Sequence, residues 1–342
     1  MAYISFQPQD YFNTVLYNGT GSAQSITGVG FQPDWLWQKS RSNSQDGRIF
    51  DAVRGGSKLI YPSLNNAEST DAQLITSFDS DGFTMGSSGS NVNDSGTTNV
   101  AWNWKAGGTG SANSDGSVSS TVSVSTTSGF SICKFDATGS TMTFGHGLGV
   151  KPAVMLIKRT DSNSNGNWIV YHKNVGATKF LTLNDTSAET TASTRFADTE
   201  PTSSVATVGS ELLSGGTYIA YCFTPVRGFS SMGSYVGNGS NDGAFCYTGF
   251  KPGFIMIKSS TTAMYWHIFD DKRQGFNPNN YRLNPNANEV ETTTTGVIDF
   301  LSNGFKIRTN QQQFGTSGAT YIWMAFAEEP LVSSNGVAAT AR

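Results

Sequence analysis

Apolar and polar residues alternate along this chain in short bursts, and one burst occurs three times. It reads Gly249-Phe250-Lys251-Pro252-Gly253-Phe254-Ile255-Met256-Ile257-Lys258. Its other copies are Gly30-Phe31-Gln32-Pro33-Asp34-Trp35-Leu36-Trp37-Gln38-Lys39 and Gly149-Val150-Lys151-Pro152-Ala153-Val154-Met155-Leu156-Ile157-Lys158. Each is a glycine bend, a proline at the mouth of a strand where no ladder donor is needed, an apolar run and a lysine. The apolar run predicts a strand buried on both faces. Pro33, Pro152 and Pro252 lie about 100–120 residues apart, which is a small domain, not a solenoid unit of roughly 20–50 residues.

The match extends beyond this burst. An aromatic pair opens each copy (Phe12 and Tyr17, Phe130 and Phe135, Phe229 and Tyr235), and a short strand follows the proline strand, at Arg48-Ile49-Phe50-Asp51, Trp168-Ile169-Val170-Tyr171-His172 and Trp266-His267-Ile268-Phe269-Asp270. Leu64-Asn65, Leu183-Asn184 and Leu283-Asn284 come next, and the copies close on their most apolar strands around Trp102, Tyr221 and Trp323. In the first of these, Val100, Trp102 and Trp104 share one face and Asn103 and Lys105 the other, so it reads as half exposed. About eight short strands per copy predict an all-β chain of three tandem β-sandwich, jelly-roll-like domains. The expected boundaries are 12–107, 129–227 and 228–331. A Gly/Ser/Thr-rich linker spans 108–128, with an extra strand possible at Val118 to Thr126, and a flexible tail spans 332–342. Three sandwiches in series imply a rod or arm.

Composition narrows the function. Charged residues are 14% of the chain, well below the usual ~25%, while 22 Phe, 12 Tyr and 7 Trp suit strands joined by polar turns. The net charge of −3, without Lys/Arg clusters, argues against nucleic acid as a partner. No apolar run approaches the ~18 residues of a membrane span, and the N-terminus lacks a signal-peptide pattern. Cys133, Cys222 and Cys246 have no metal-type spacing, and read as buried free thiols or as one Cys133–Cys222 bridge.

Catalytic chemistry is sparse. His146, His172 and His267 do not recur at one aligned position, and no serine elbow, phosphate loop or zinc motif is present. Asp51, Asp79, Asp270 and Asp299 are the carboxylates a glycosidase could pair, but Asp51 and Asp270 are each followed three residues later by Arg54 and Arg273, which reads as a loop clamp. Val175 and His172 stand there in the middle copy, and Glu328 and Glu329 read as solvated. Asp79-Ser80-Asp81-Gly82 reads as a hairpin turn, not a calcium loop. Neither cofactor nor metal is expected, and the chain reads as a non-enzyme. Ligand binding by aromatic faces and polar loops is the stronger candidate, at Asn43, Asp46, Asn163, Asn165, Trp168 and Trp266. Pro33, Pro152, Pro252 and the two Asp/Arg pairs take structural roles.

The phrases Gly-Phe-x-Pro, Ser-x-Gly-Phe and Tyr-x-x-x-Ala-Phe-Ala-Glu, over roughly residues 1–330, resemble an uncharacterised repeat family abundant in tailed phages of marine bacteria. Met1 to Tyr17 and Asn99 to Ala106 resemble its first unit, Leu301 to Lys306 and Thr320 to Glu328 its last. The resemblance implies a virion structural protein of β-sandwich units, displayed on the particle surface and carrying a tail-fibre or lectin-like label. It implies attachment to other virion proteins, here through residues 1–11, a homo-oligomer that is trimeric by analogy, and a host-surface glycan as a ligand. Capsid decoration, a head fibre or a free carbohydrate-binding module are the alternatives.

Overall fold

The computed structural model describes residues 6–87, 92–164, 166–212 and 215–330, with the side chains of residues 294 and 295 left aside. It is 45% strand and 2% helix, arranged in antiparallel sheets. In each unit one sheet takes the same strand order. In the first it is Phe12–Asn18, Thr98–Trp104, Trp35–Ser40, Arg48–Asp51. In the second it is Phe130–Asp136, Thr217–Phe223, Val154–Arg159, Ile169–His172, and in the third Ser230–Val236, Thr320–Pro330, Phe250–Ser259, His267–Asp270. The repeated apolar run is thus the third of these four strands in each unit, covered on both faces.

One face of each of these sheets packs on a smaller outer sheet. Leu36, Phe50 and Ala101 meet Ile26, Ile75, Phe83 and Met85 in the first unit, and separate clusters fill the second and third. The opposite faces converge on one another. Trp35, Trp37, Trp102 and Trp104 share a single core with Leu156, Tyr221 and Phe223 and with Phe254, Met324 and Phe326. Ring centroids are 4.7 Å apart between Trp35 and Tyr221, 5.5 Å between Trp104 and Phe326, and 5.8 Å between Phe223 and Phe326, so aromatic contacts cross all three boundaries. The expected rod is therefore corrected to a closed ring of three sheets around a common core. A sheet with apolar residues on both faces must cover both, and burying one tryptophan removes ~200 Å² from water, worth on the order of 5 kcal/mol. The strand Thr98–Trp104 is accordingly buried from Asn99 onward on both faces, not half exposed. Its Asn103 is held by the carbonyls of Asn13 and Ala101.

Two further expectations change. Within 108–128, Ser111–Asn113 and Ser120–Ser125 form strands that extend the second unit's sheet, with Val122 in its core, so this stretch is a folded hairpin. Ser/Val/Thr alternation supplies one apolar face, which outweighs the flexible composition. Of residues 1–11, Phe6 and Tyr11 pack on Phe229 of the third unit, at 5.4 and 6.4 Å, and Pro8 is buried, so this part closes the ring between first and third units. Residues 1–5 and the tail 332–342 lie outside the described residues. The three cysteines are buried and free, with no Cys133–Cys222 bridge.

Candidate functional site: the three junctions of the ring

The lysine that ends each repeated burst is fully buried and points into the preceding unit of the ring. Lys39 Nζ donates to the Ala287 carbonyl (2.8 Å), Lys158 to that of Asn66 (2.7 Å) and Lys258 to that of Thr186 (3.2 Å). The acceptors all follow the Leu-Asn segments. The first unit thus grips the third, the second grips the first and the third grips the second. Each ammonium also bonds a carbonyl of its own unit, at Gln45, Arg159 and Ser259, which meets much of its donor capacity. Burial pulls Lys39 down to about 8 and Lys258 to about 8. Burial together with Arg54 and Arg159 pulls Lys158 to about 7.

Two residues beyond each lysine, a backbone carbonyl accepts a glutamate N–H from the same neighbour. Thr160 accepts from Glu68 (2.8 Å), Ser260 from Glu189 (2.7 Å) and Arg41 from Glu291 (2.9 Å). The glutamate carboxylates pair with Lys58 and Arg54, with Lys179, and with Arg41 and Arg273. Three equivalent bonds in cyclic order give the ring an approximate threefold symmetry inside one polypeptide.

Asp51, His172 and Asp270 occupy one position, opposite Trp35, Val154 and Phe254 in the register. Asp51 receives the Arg54 backbone N–H and its Nε (2.8 and 2.7 Å), and Asp270 binds Arg273 in the same way. These clamps hold a second partner across the junction. Tyr221 OH donates to Asp51 (2.7 Å), and Trp102 Nε1 to Asp270 (2.9 Å). Burial, then the Asp51 charge, pushes the Tyr221 hydroxyl far up, so it remains a donor. Trp102, Tyr221 and Met324 are equivalent in the register, opposite Trp37, Leu156 and Met256. Met324 offers no donor, and the neighbour facing it carries His172 in place of aspartate and Val175 in place of arginine. There His172 Nε2 contacts the Trp323 carbonyl (3.3 Å), and a small apolar cavity lies between Val170, Met256, Trp266 and Met324.

Trp168 and Trp266 belong to the same junctions, which corrects their expected role as ligand platforms. Both are buried, and their indole N–H groups donate to Tyr61 and Thr182 carbonyls of the preceding unit at 2.8 and 2.9 Å. A ring covered on both faces cannot stack on a ligand. Asn163 accepts the Ala67 N–H across the first junction, while Asp46 accepts the Ser63 hydroxyl inside its own unit. Asn43 is exposed, its N–H on Ser40 Oγ, and Asn165 lies outside the described residues. The five candidates among the described residues therefore do not gather into one pocket. Pro33, Pro152 and Pro252 are buried, and Pro252 sits between two register shifts, where its missing N–H breaks no ladder bond. The histidines are buried. Burial holds His172 down to about 4 and His267 to about 3, which keeps both neutral at pH 7.

One group escaped the sequence reading. Glu328 is largely covered, not solvated, and carries Lys251 (3.1 Å) and Lys272 (3.4 Å) on its carboxylate. Burial and a hydrogen bond to Glu328 push Asp271 up to about 8. Two carboxyls in hydrogen-bond contact are closer than the ~5 Å or more that a glycosidase needs. Aligned neighbours give the only available signal: the positions equivalent to Asp271 and Glu328 are Ala52 and Ala106 in the first unit, Lys173 and Pro225 in the second. Among the described residues, no group of three or more His, Cys, Asp or Glu is placed to hold a metal ion, and no helix is long and apolar enough to cross a membrane.

The junctions make the three units one folding object, and family comparison treats them as one. A single family model, the domain of unknown function DUF7483, matches residues 7–330. The chain belongs to that family. The match starts beside Phe6, at the segment that closes the ring, and ends at the last residue of the strand Thr320–Pro330. No curated protein matches the chain.

Proposed function

We propose that this DUF7483 chain is a non-enzymatic structural protein of a tailed-phage particle, displayed on its surface and serving receptor recognition in the manner of a tail fibre. The observation that carries the reading is the use made of its buried charges. Lys39, Lys158 and Lys258, the two Asp/Arg clamps and the three glutamates all join sandwich to sandwich, so the recurring polar chemistry is devoted to assembly. A rigid ring whose repeats turn their loops and outer sheets to solvent suits a displayed recognition module. The motif resemblance supplies the particle, and the ring supplies within one chain the threefold arrangement that fibres obtain from three.

Gold-labelled antibody against this chain, applied to purified particles, tests the proposal. Labelling of the tail tip or fibres is the expected result. Labelling confined to the capsid shell replaces the tail role by decoration or a head fibre. Unlabelled particles, with the free protein binding glycans, leave a carbohydrate-binding module instead.

A further inference from the structure

The outer sheet of the third unit differs from its counterparts at one edge. Its edge strand, Phe245–Tyr247, buries Cys246 and turns Phe245 (47% exposed) and Tyr247 (58% exposed) to solvent. The corresponding strand of the first unit, Gln24–Thr27, buries Ile26 and turns out Ser25 and Thr27. In the second unit, Met142–Gly145 has Thr143 and Gly145 there, covered by the chain itself. Ser117 exchanges hydrogen bonds with Thr143 (2.8 and 2.9 Å), and the Asn113 side chain occupies the space a Cβ at Gly145 would need. The same sheet edge is thus polar in one unit, filled in another, and aromatic and open in the third.

We propose that Phe245 and Tyr247 form a binding site for a pyranose oligosaccharide. Alternate residues on a strand are roughly 6.5–7 Å apart on one face, so the two rings can each meet the C–H face of a different sugar or share one glycosidic unit. Gly304 lies opposite Tyr247 and Lys306 opposite Phe245, followed by Leu301 and Asp299 on the next strand. Gly304 carries no side chain because the edge strand's own backbone, the Cys246 carbonyl and Tyr247 Cα, fills the space a Cβ would need, which holds the strand that bears the two rings close to its neighbour. The polar groups bordering the rings are Lys306, paired with Asp242 at 2.8 Å, and Asp299, paired with Arg308 at 3.3 Å. They offer both donors and acceptors to sugar hydroxyls.

Area decides between a glycan and a second protein chain. Two half-exposed rings present about 200 Å² of apolar surface, far below the ~800 Å² per partner of a stable protein interface. Opposite charges on the adjoining strands interrupt the patch further. A neutral sugar with an apolar face needs no more than this, and the net charge of −3 gives no pull on a polyanion. The site rests on the recognition role proposed above and deepens it by naming the ligand class and the unit that binds.

A glycan array of hexopyranose oligosaccharides and bacterial surface polysaccharides, followed by calorimetric titration of the hits, tests it. The variant Phe245→Ser/Tyr247→Thr gives the third unit the first unit's residues at exposed positions, and its melting curve checks that the ring is intact. The expected result is binding at about millimolar or tighter that weakens at least about tenfold in the double variant. An array blank at high protein concentration overturns the proposal, as does equal binding by both proteins. Concentration-dependent self-association that the double variant abolishes would make this edge a contact between copies and overturn it too. Particle labelling is read separately, so a failed glycan site leaves the virion assignment standing.

Discussion

Two of the three junctions are closed by a buried aspartate, its arginine and an aromatic donor from the neighbour. The third is closed by His172 against the backbone of Trp323, with Met324 and Val175 where donor and arginine would be. The changes come as a set. A buried Asp/Arg pair gains little once its desolvation is counted, and removing one partner is costly. It is therefore stable as a complete constellation or replaced as a whole, and the chain shows both solutions side by side. Connectivity explains where the apolar version is tolerated. The second and third units are joined by the short connection at Thr224–Phe229, which keeps their faces at high effective concentration. No such connection joins the third unit to the first. That junction adds an Arg41/Glu291 pair (2.8 Å) and the Phe6/Tyr11 packing on Phe229.

The largest test of this contrast is to break one junction of each kind. Asp270→Ala takes from Arg273 its Nε partner and leaves the Trp102 N–H unpaired in a buried place, and should cost about 3–5 kcal/mol. His172→Ala loses one bond to Trp323 and one to the Asn174 N–H, and should cost about 1–3 kcal/mol. Urea unfolding followed by tryptophan fluorescence compares them. Equal losses would show that the two junction types carry the same weight.

The next test asks whether the set is coupled. Met324→Tyr alone places a hydroxyl against His172 and Val175, and should destabilise by about 1–3 kcal/mol. Adding His172→Asp and Val175→Arg rebuilds the arrangement of Tyr221, Asp51 and Arg54, and should recover most of the loss. The cycle should show coupling above about 1 kcal/mol. Additive effects would mean that the three positions vary independently.

Strand content and the places of the strands along each unit follow from features visible in the sequence: glycine and proline at the bends, alternation in the outer strands and continuous apolar runs in the inner ones. The Asp51/Arg54 and Asp270/Arg273 clamps were also legible, because an aspartate and an arginine three apart suit one turn. The ring was not. Period 2 placed Trp102 and Trp104 on one face, but a pattern along a strand cannot say whether that face meets solvent or two other sheets. The role of the buried lysines was hidden for a related reason. Lys39, Lys158 and Lys258 look like the solvated ends of strands until neighbouring carbonyls are in place to receive them. Trp168 and Trp266 after polar loops have the same ambiguity, which only contacts between units resolve.

The smallest effect concerns the carboxyl pair found only in the third unit. Asp271 is surrounded by Glu328, Lys272 and Asp270, with Lys251 on Glu328, and its folded-state value of about 8 lies above the ~3.9 of an unfolded aspartate. The folded chain thus binds this proton more tightly. Its contribution is fully present below about pH 4 and is lost as pH rises through about 8. Lys39, Lys158 and Lys258 act in the opposite sense, contributing above about pH 10 and losing that as pH falls through about 7–8. His172 and His267 lose stability as pH falls from about 6.5 towards 4 and 3. The difference between wild type and Asp271→Asn removes these common terms. Melting temperatures from pH 5 to 8 should show the variant gaining on wild type as pH rises, with a slope no greater than about 1.4 kcal/mol per pH unit, the limit for one proton. A constant offset across that range would mean that Asp271 is ionised in the folded chain, with Lys272 and not burial setting its charge.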